Sequence, residues 1–122
     1  MTEHGSLLSP LERDFEVDVR EEPRGTVVTV SGELDVASSQ TLEHALGKLS
    51  EAATVIVDLR GLTFIDSTGL GVLVRAHQLA KEHRRRFGLV RGNGQVNRLL
   101  SLTGLDTELL VGESTEQLLA GE

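Results

Sequence analysis

Apolar and polar residues alternate one for one where Phe15, Val17 and Val19 stand against Glu16, Asp18 and Arg20. That is the period of a strand with one buried face. A turn follows over 21–25, marked by Pro23 and Gly25, and TVVTVS at 26–31 is β-branched up to its last residue. The two runs read as an opening hairpin. Beyond Gly32-Glu33-Leu34-Asp35 the period changes. Leu42, Ala45, Leu46 and Leu49 fall three, four and seven apart, one face of a helix starting near Val36. Asp35 lies just before it, placed to cap free N–H groups. TVIVDL at 54–59 is apolar apart from Asp58 and reads as a central strand, with a short loop after it. Leu70, Leu73, Val74, His77 and Ala80 mark a second helix running to about Arg84. A short strand is expected over 87–90, a short helix over 96–102 ended by Gly104, a last strand over 107–111 and a terminal helix over 114–120.

A hairpin followed by alternating strands and helices predicts an α/β domain, with a mixed sheet of about four to five strands and about four helices. The chain has 122 residues, enough for one core. Residues 1–13 (MTEHGSLLSPLER) are polar and broken by Gly5 and Pro10, and are expected as a flexible leader before a domain over 14–122. Twelve basic against nineteen acidic residues leave a net charge of −7, the wrong sign for neutralising phosphates along a nucleic acid. Without cysteine there is no disulfide framework, thiolate zinc site or cysteine nucleophile. No apolar run reaches the length of a membrane span and none of the early runs resembles a signal peptide, so the expected setting is the cytoplasm. Three Phe with no Trp or Tyr leave the core to Val, Leu, Ile and Ala.

The chemistry concentrates at Ile65-Asp66-Ser67-Thr68-Gly69, where the second helix begins. A serine nucleophile needs a base within reach, and the hydrolase pattern G-x-S-x-G is absent. The four histidines (His4, His44, His77, His83) are scattered, with no metal-like spacing. Gly69 and Gly71 fall short of a phosphate-binding pattern, and close packing of helix on sheet explains them as well. No cofactor and no enzymatic activity are expected. Two readings of the hydroxyls remain. Asp, Ser and Thr are the preferred helix caps. Alternatively Ser67 is a substrate: a phosphoryl group there would add about 1.5–2 negative charges at the positive end of a helix dipole.

The segments GELD (32–35), IVDLRGLTFIDSTGLGVLV (56–74) and VNRLLSLTGLDTELLV (96–111) resemble those of the STAS-domain anti-sigma factor antagonists, over roughly residues 15–120. The D-S-T-G-L-G portion is the most specific. The resemblance implies that Ser67, directly after Asp66, is phosphorylated by an anti-sigma factor that is itself a serine kinase. The unphosphorylated form would bind that kinase and free its sigma factor, and a PP2C-type phosphatase would reverse the modification. It further implies a partner-binding face that includes Glu33, Asp35, Asp66, Thr68 and Gly69. A STAS scaffold module that is never phosphorylated is the alternative. Asn93-Gly94-Gln95 stands where the family often has a proline before its third helix. The basic run His83-Arg84-Arg85-Arg86 reads as a helix C-terminus, whose dipole favours positive side chains.

Overall fold

A computed structural model describes residues 15–120; the leader expected over 1–13 lies outside them. Five strands form one sheet in the order β1-β2-β3-β4-β5. Strands β1 (Phe15–Glu22) and β2 (Gly25–Leu34) make the expected antiparallel hairpin, with Phe15 opposite Gly32. Strands β3 (Thr54–Ile65), β4 (Arg86–Val90) and β5 (Leu110–Gly112) continue the sheet in parallel. The helices are α1 (Val36–Gly47), α2 (Ser67–Glu82), α3 (Gly94–Leu102), α4 (Leu105–Glu108) and α5 (Thr115–Ala120). The mixed α/β sheet is the one the sequence predicts. No helix among the described residues is long and apolar enough to cross a membrane.

Alternation along β3 divides the core. Val55, Val57 and Leu59 join Val28, Val30, Leu89, Leu42, Leu73, Val96 and Leu100 in one large cluster, which places α1, α2 and α3 over one face. Ile56 points the other way and meets Val90 and Leu118, so α5 covers the second face. At about 25 cal/mol per Å² of apolar surface removed from water, each buried Leu or Val contributes on the order of 1.5–3 kcal/mol.

Four elements differ from the sequence pattern. Both central strands run further than expected, β2 to Leu34 and β3 to Ile65. Two irregularities in their pairing, opposite Thr29–Ser31 and Gly32–Glu33, explain why for β3, the strand that carries the extra residue each time. Each inserts a residue and resets the side-chain alternation. Leu59, Leu62 and Ile65 are therefore the buried positions, three apart instead of two, which hides the strand from a period-two reading. Gly32 sits at the second irregularity with φ of 94°, a conformation that favours glycine. The last strand begins only at Leu110 because Leu105–Glu108 closes a helical turn. Gly104 enters that turn in the left-handed conformation, and the Thr107 hydroxyl donates to its carbonyl at 2.8 Å. Finally, α2 ends at Glu82 with His83 as C-cap, and Arg84 turns the chain toward β4 at φ 59°.

Asp58, the one acidic residue of β3, is buried and its carboxylate is shared with Arg60. The Arg60 amide and Nε donate to Oδ1, each at 3.0 Å, and Nη2 donates to Oδ2 at 2.8 Å. Burial pushes this carboxyl up, but the Arg60 bonds and charge together outweigh it and hold the group below its ordinary 3.8. A depressed folded-state value contributes stability above the unfolded value and loses it as pH falls through the folded one. Asp58→Asn should cost about 1–2 kcal/mol at pH 7, with Arg60 half-solvated and able to turn to water. The deficit should shrink once the pH drops below about 4. Denaturant unfolding at neutral and acid pH checks this; a deficit independent of pH would contradict it.

Candidate functional site

Strands β2 and β3 are parallel and finish level, with Leu34 beside Ile65. An aspartate follows each, Asp35 and Asp66, and each is the N-cap of a helix. Two helix N-termini therefore open on the same edge of the sheet. Asp35 Oδ1 accepts from the amides of Ala37 (3.0 Å) and Ser38 (3.2 Å), while the Asp35 amide donates to Ser38 Oγ at 2.9 Å. The Ser38 hydroxyl in turn donates to the Glu33 carbonyl at 2.7 Å. This closed capping box bears out the capping role expected of Asp35. Asp66 Oδ1 accepts from the Gly69 amide at 3.0 Å, its carbonyl accepts from the Leu70 amide at 2.9 Å, and its own amide donates to the Leu34 carbonyl at 3.1 Å.

Ser67 is the first residue of α2. It is exposed, as is Thr68. Among the described residues neither hydroxyl makes a hydrogen bond, because Asp66 takes the cap. The sequence left open whether Ser67 caps the helix or is presented by it; the cap belongs to Asp66, and Ser67 is presented. Glu33 is also exposed, paired in register with Phe64. Around these groups two large apolar side chains face outward, Phe64 at 40% and Val36 at 68% exposure. The sequence pattern gave no warning of either, since Phe64 falls in the stretch after 54–59 that reads as a short loop.

Gly69 is buried for a definite reason. A Cβ at this position would lie 2.5 Å from Leu34 Cγ and 2.8 Å from the Leu34 carbonyl. Gly71 has no such neighbour, since a Cβ there would meet only the Arg75 guanidinium at 3.4 Å. The pair is thus one packing glycine and one incidental glycine. Among the described residues no group of three or more His, Asp or Glu is placed to hold a metal. A cavity of about 550 Å³ lies between α1 and α2, lined by residues such as Leu46, Leu79 and Phe87 and by none of 33–35 or 66–69.

The residues before and within α3 also reach this edge, and sequence reasoning missed them. Asn93 caps α3 by accepting from the Val96 amide at 3.0 Å, and its Nδ2 donates to the Leu62 carbonyl at 3.0 Å. Gln95 bonds the backbone of Ile65 with both ends of its amide, each at 3.1 Å. The run Asn93-Gly94-Gln95, which differs from the proline common in the resembling family, was the available signal.

Two capped helix N-termini, a free hydroxyl and two outward apolar side chains thus lie together and solvent-exposed where β2 and β3 end. The STAS domain family matches residues 16–118, and the chain belongs to it. It is similar to the anti-sigma-B factor antagonist of Bacillus subtilis (strain 168), at 30% identity over 104 residues that make up 84% of this chain and 95% of that one. The crystal structure of an anti-sigma factor antagonist from Mycobacterium paratuberculosis superposes with a TM-score of 0.79 at 30% identity, over 93% of this chain and 96% of that one. The phosphorylated form of the Bacillus cell fate determinant SpoIIAA shares the fold, with a TM-score of 0.67 at 18% identity over 84% of this chain and 96% of that one.

The packing account separates the two glycines experimentally. Gly69→Ala should lose about 1–3 kcal/mol, because backbone must move to admit the methyl group. Gly71→Ala should be neutral or gain up to about 1 kcal/mol from helix propensity. Thermal and denaturant melts of both variants check this, and equal effects would refute the assignment.

Proposed function

We propose that this protein is a cytoplasmic, non-enzymatic anti-sigma factor antagonist whose switch is phosphorylation of Ser67 by the anti-sigma factor it binds. The observation that carries the reading is the free, exposed Ser67 hydroxyl at the first turn of α2. Membership of a family whose relatives are named for antagonism of anti-sigma factors supports the same reading.

The chemistry asks little of this chain. Phosphoryl transfer needs nucleotide, metal ions and a group to accept the hydroxyl proton, and the kinase provides all three. This protein provides an acceptor held still by a capped helix and reachable because Thr68 and Gly69 beside it are small. Unphosphorylated, it offers Glu33, Val36, Phe64 and the start of α2 to the anti-sigma factor, which then releases its sigma factor. A phosphate on Ser67 brings about 1.5–2 negative charges into a surface that already carries Glu33 and Asp66. Desolvating that charge in a closed interface, without a cationic partner, weakens binding. A PP2C-type phosphatase acting on phospho-Ser67 restores the active form.

Incubation with its cognate kinase and labelled ATP tests the assignment. Ser67→Ala should abolish labelling, and Thr68→Ala should retain it. Mass spectrometry that places the phosphate of the wild type on Thr68 overturns the choice of acceptor. A stable complex with a partner but no label on any residue would favour a constitutive scaffold module instead.

A further inference from the structure

Strand β4 pairs with β3 only from Thr54 to Asp58. Residues 59–65 of β3 therefore have β2 on one side and no strand on the other. At the far end of this overhang, immediately before Asp66, the open side is filled by Gln95. The Ile65 amide donates to Gln95 Oε1 and Gln95 Nε2 donates to the Ile65 carbonyl, both at 3.1 Å. One planar side-chain amide thus gives Ile65 the pair of bonds that a neighbouring strand would give. Gln95 is itself fixed. It lies in the first turn of α3, whose Val96 and Leu100 are fully buried. Asn97 locks the approach to that helix, accepting from the Gly92 amide and donating to the Gly92 carbonyl, each at 2.9 Å.

The residue after β3 is Asp66, whose amide donates to Leu34 on the other side and whose carboxylate caps α2 by accepting from the Gly69 amide. Ser67 follows. We infer that Gln95 is a positioning residue for Ser67: by holding the Ile65 peptide it sets the Asp66 cap and presents the hydroxyl in one orientation. The inference rests on the reading of Ser67 as phosphoacceptor. Because Gln95 is exposed, water can replace its bonds when it is removed. The fold then survives while the strand end loosens. An acceptor that must be found among several orientations slows the transfer step more than it weakens encounter.

Gln95→Met keeps the length of the side chain and removes both bonds. Gln95→Glu keeps the acceptor for the Ile65 amide and loses the donor. Amide hydrogen exchange is read first, on the unphosphorylated protein. In Gln95→Met, exchange at Ile65, Gly69 and Leu70 should rise about tenfold while Val57 in mid-strand stays protected; Gln95→Glu should fall between. Steady-state phosphorylation follows, with the kinase that the wild-type protein captures from its own cell extract. Here kcat should drop about tenfold in Gln95→Met with KM held within about twofold. Wild-type exchange at Gly69 and Leu70, or protection lost evenly through Val57, overturns the inference. So does an unchanged kcat. If wild-type Ser67 takes no phosphate, the acceptor reading fails separately, and exchange at Gly69 and Leu70 still decides whether Gln95 holds the cap.

Discussion

Leu34 is the contact on which the functional edge depends. It ends β2 fully buried, its carbonyl accepts the Asp66 amide at 3.1 Å, and its side chain occupies the space a Cβ on Gly69 would need. One residue thereby joins the end of one strand to the start of the helix after the next. Parallel pairing does the rest. Since β2 and β3 end in register, the helices that follow must start side by side. A displacement of Leu34 would move Asp66, Gly69 and Ser67 together, which is why the Ser67 hydroxyl can be both exposed and firmly placed.

Charge and burial are divided along the same edge. The N-terminus of α2 carries about half a positive charge from its aligned peptides, enough to offset part of a phosphate but not its whole charge. A phosphate placed at Ser67 would therefore leave the fold intact. A docked partner sees something different. Val36 and Phe64 invite apolar contact, and closing over them strips water from whatever charge lies beside them. Exposed charges in free solution are screened within about 8–10 Å, whereas a charge sealed without a partner costs several kcal/mol. On the proposed reading, a phosphate at Ser67 would cost the complex far more than it would cost the free protein.

The opening hairpin, the central strand and the helix starts were legible because period two and period 3.6 leave separate marks. The stretch 65–69 was legible too, as a run of small polar residues at a change of period, although capping and modification look alike in a sequence. Only coordinates show that Asp66 does the capping and leaves Ser67 free. The far half of β3 was illegible for a physical reason: two irregularities in pairing turn a spacing of two into a spacing of three at Leu59, Leu62 and Ile65. Gln95 was hidden because its role joins segments some thirty residues apart, and nothing local to Asn-Gly-Gln says that its amide stands in for a missing strand. The exposure of Phe64 is a property of the sheet edge and leaves no trace in the order of residues.

Titration of the purified anti-sigma partner, with nucleotide present, against the phosphorylated and unphosphorylated protein, each melted in parallel, addresses the switch most directly. The phosphorylated form should bind at least about tenfold more weakly, a change of about 1.4 kcal/mol, while its Tm stays within a few degrees of the unmodified protein. Equal affinities would contradict a switch at Ser67. Lost binding accompanied by a collapse in Tm would show that the phosphate acts by unfolding the domain, against a mechanism confined to the interface.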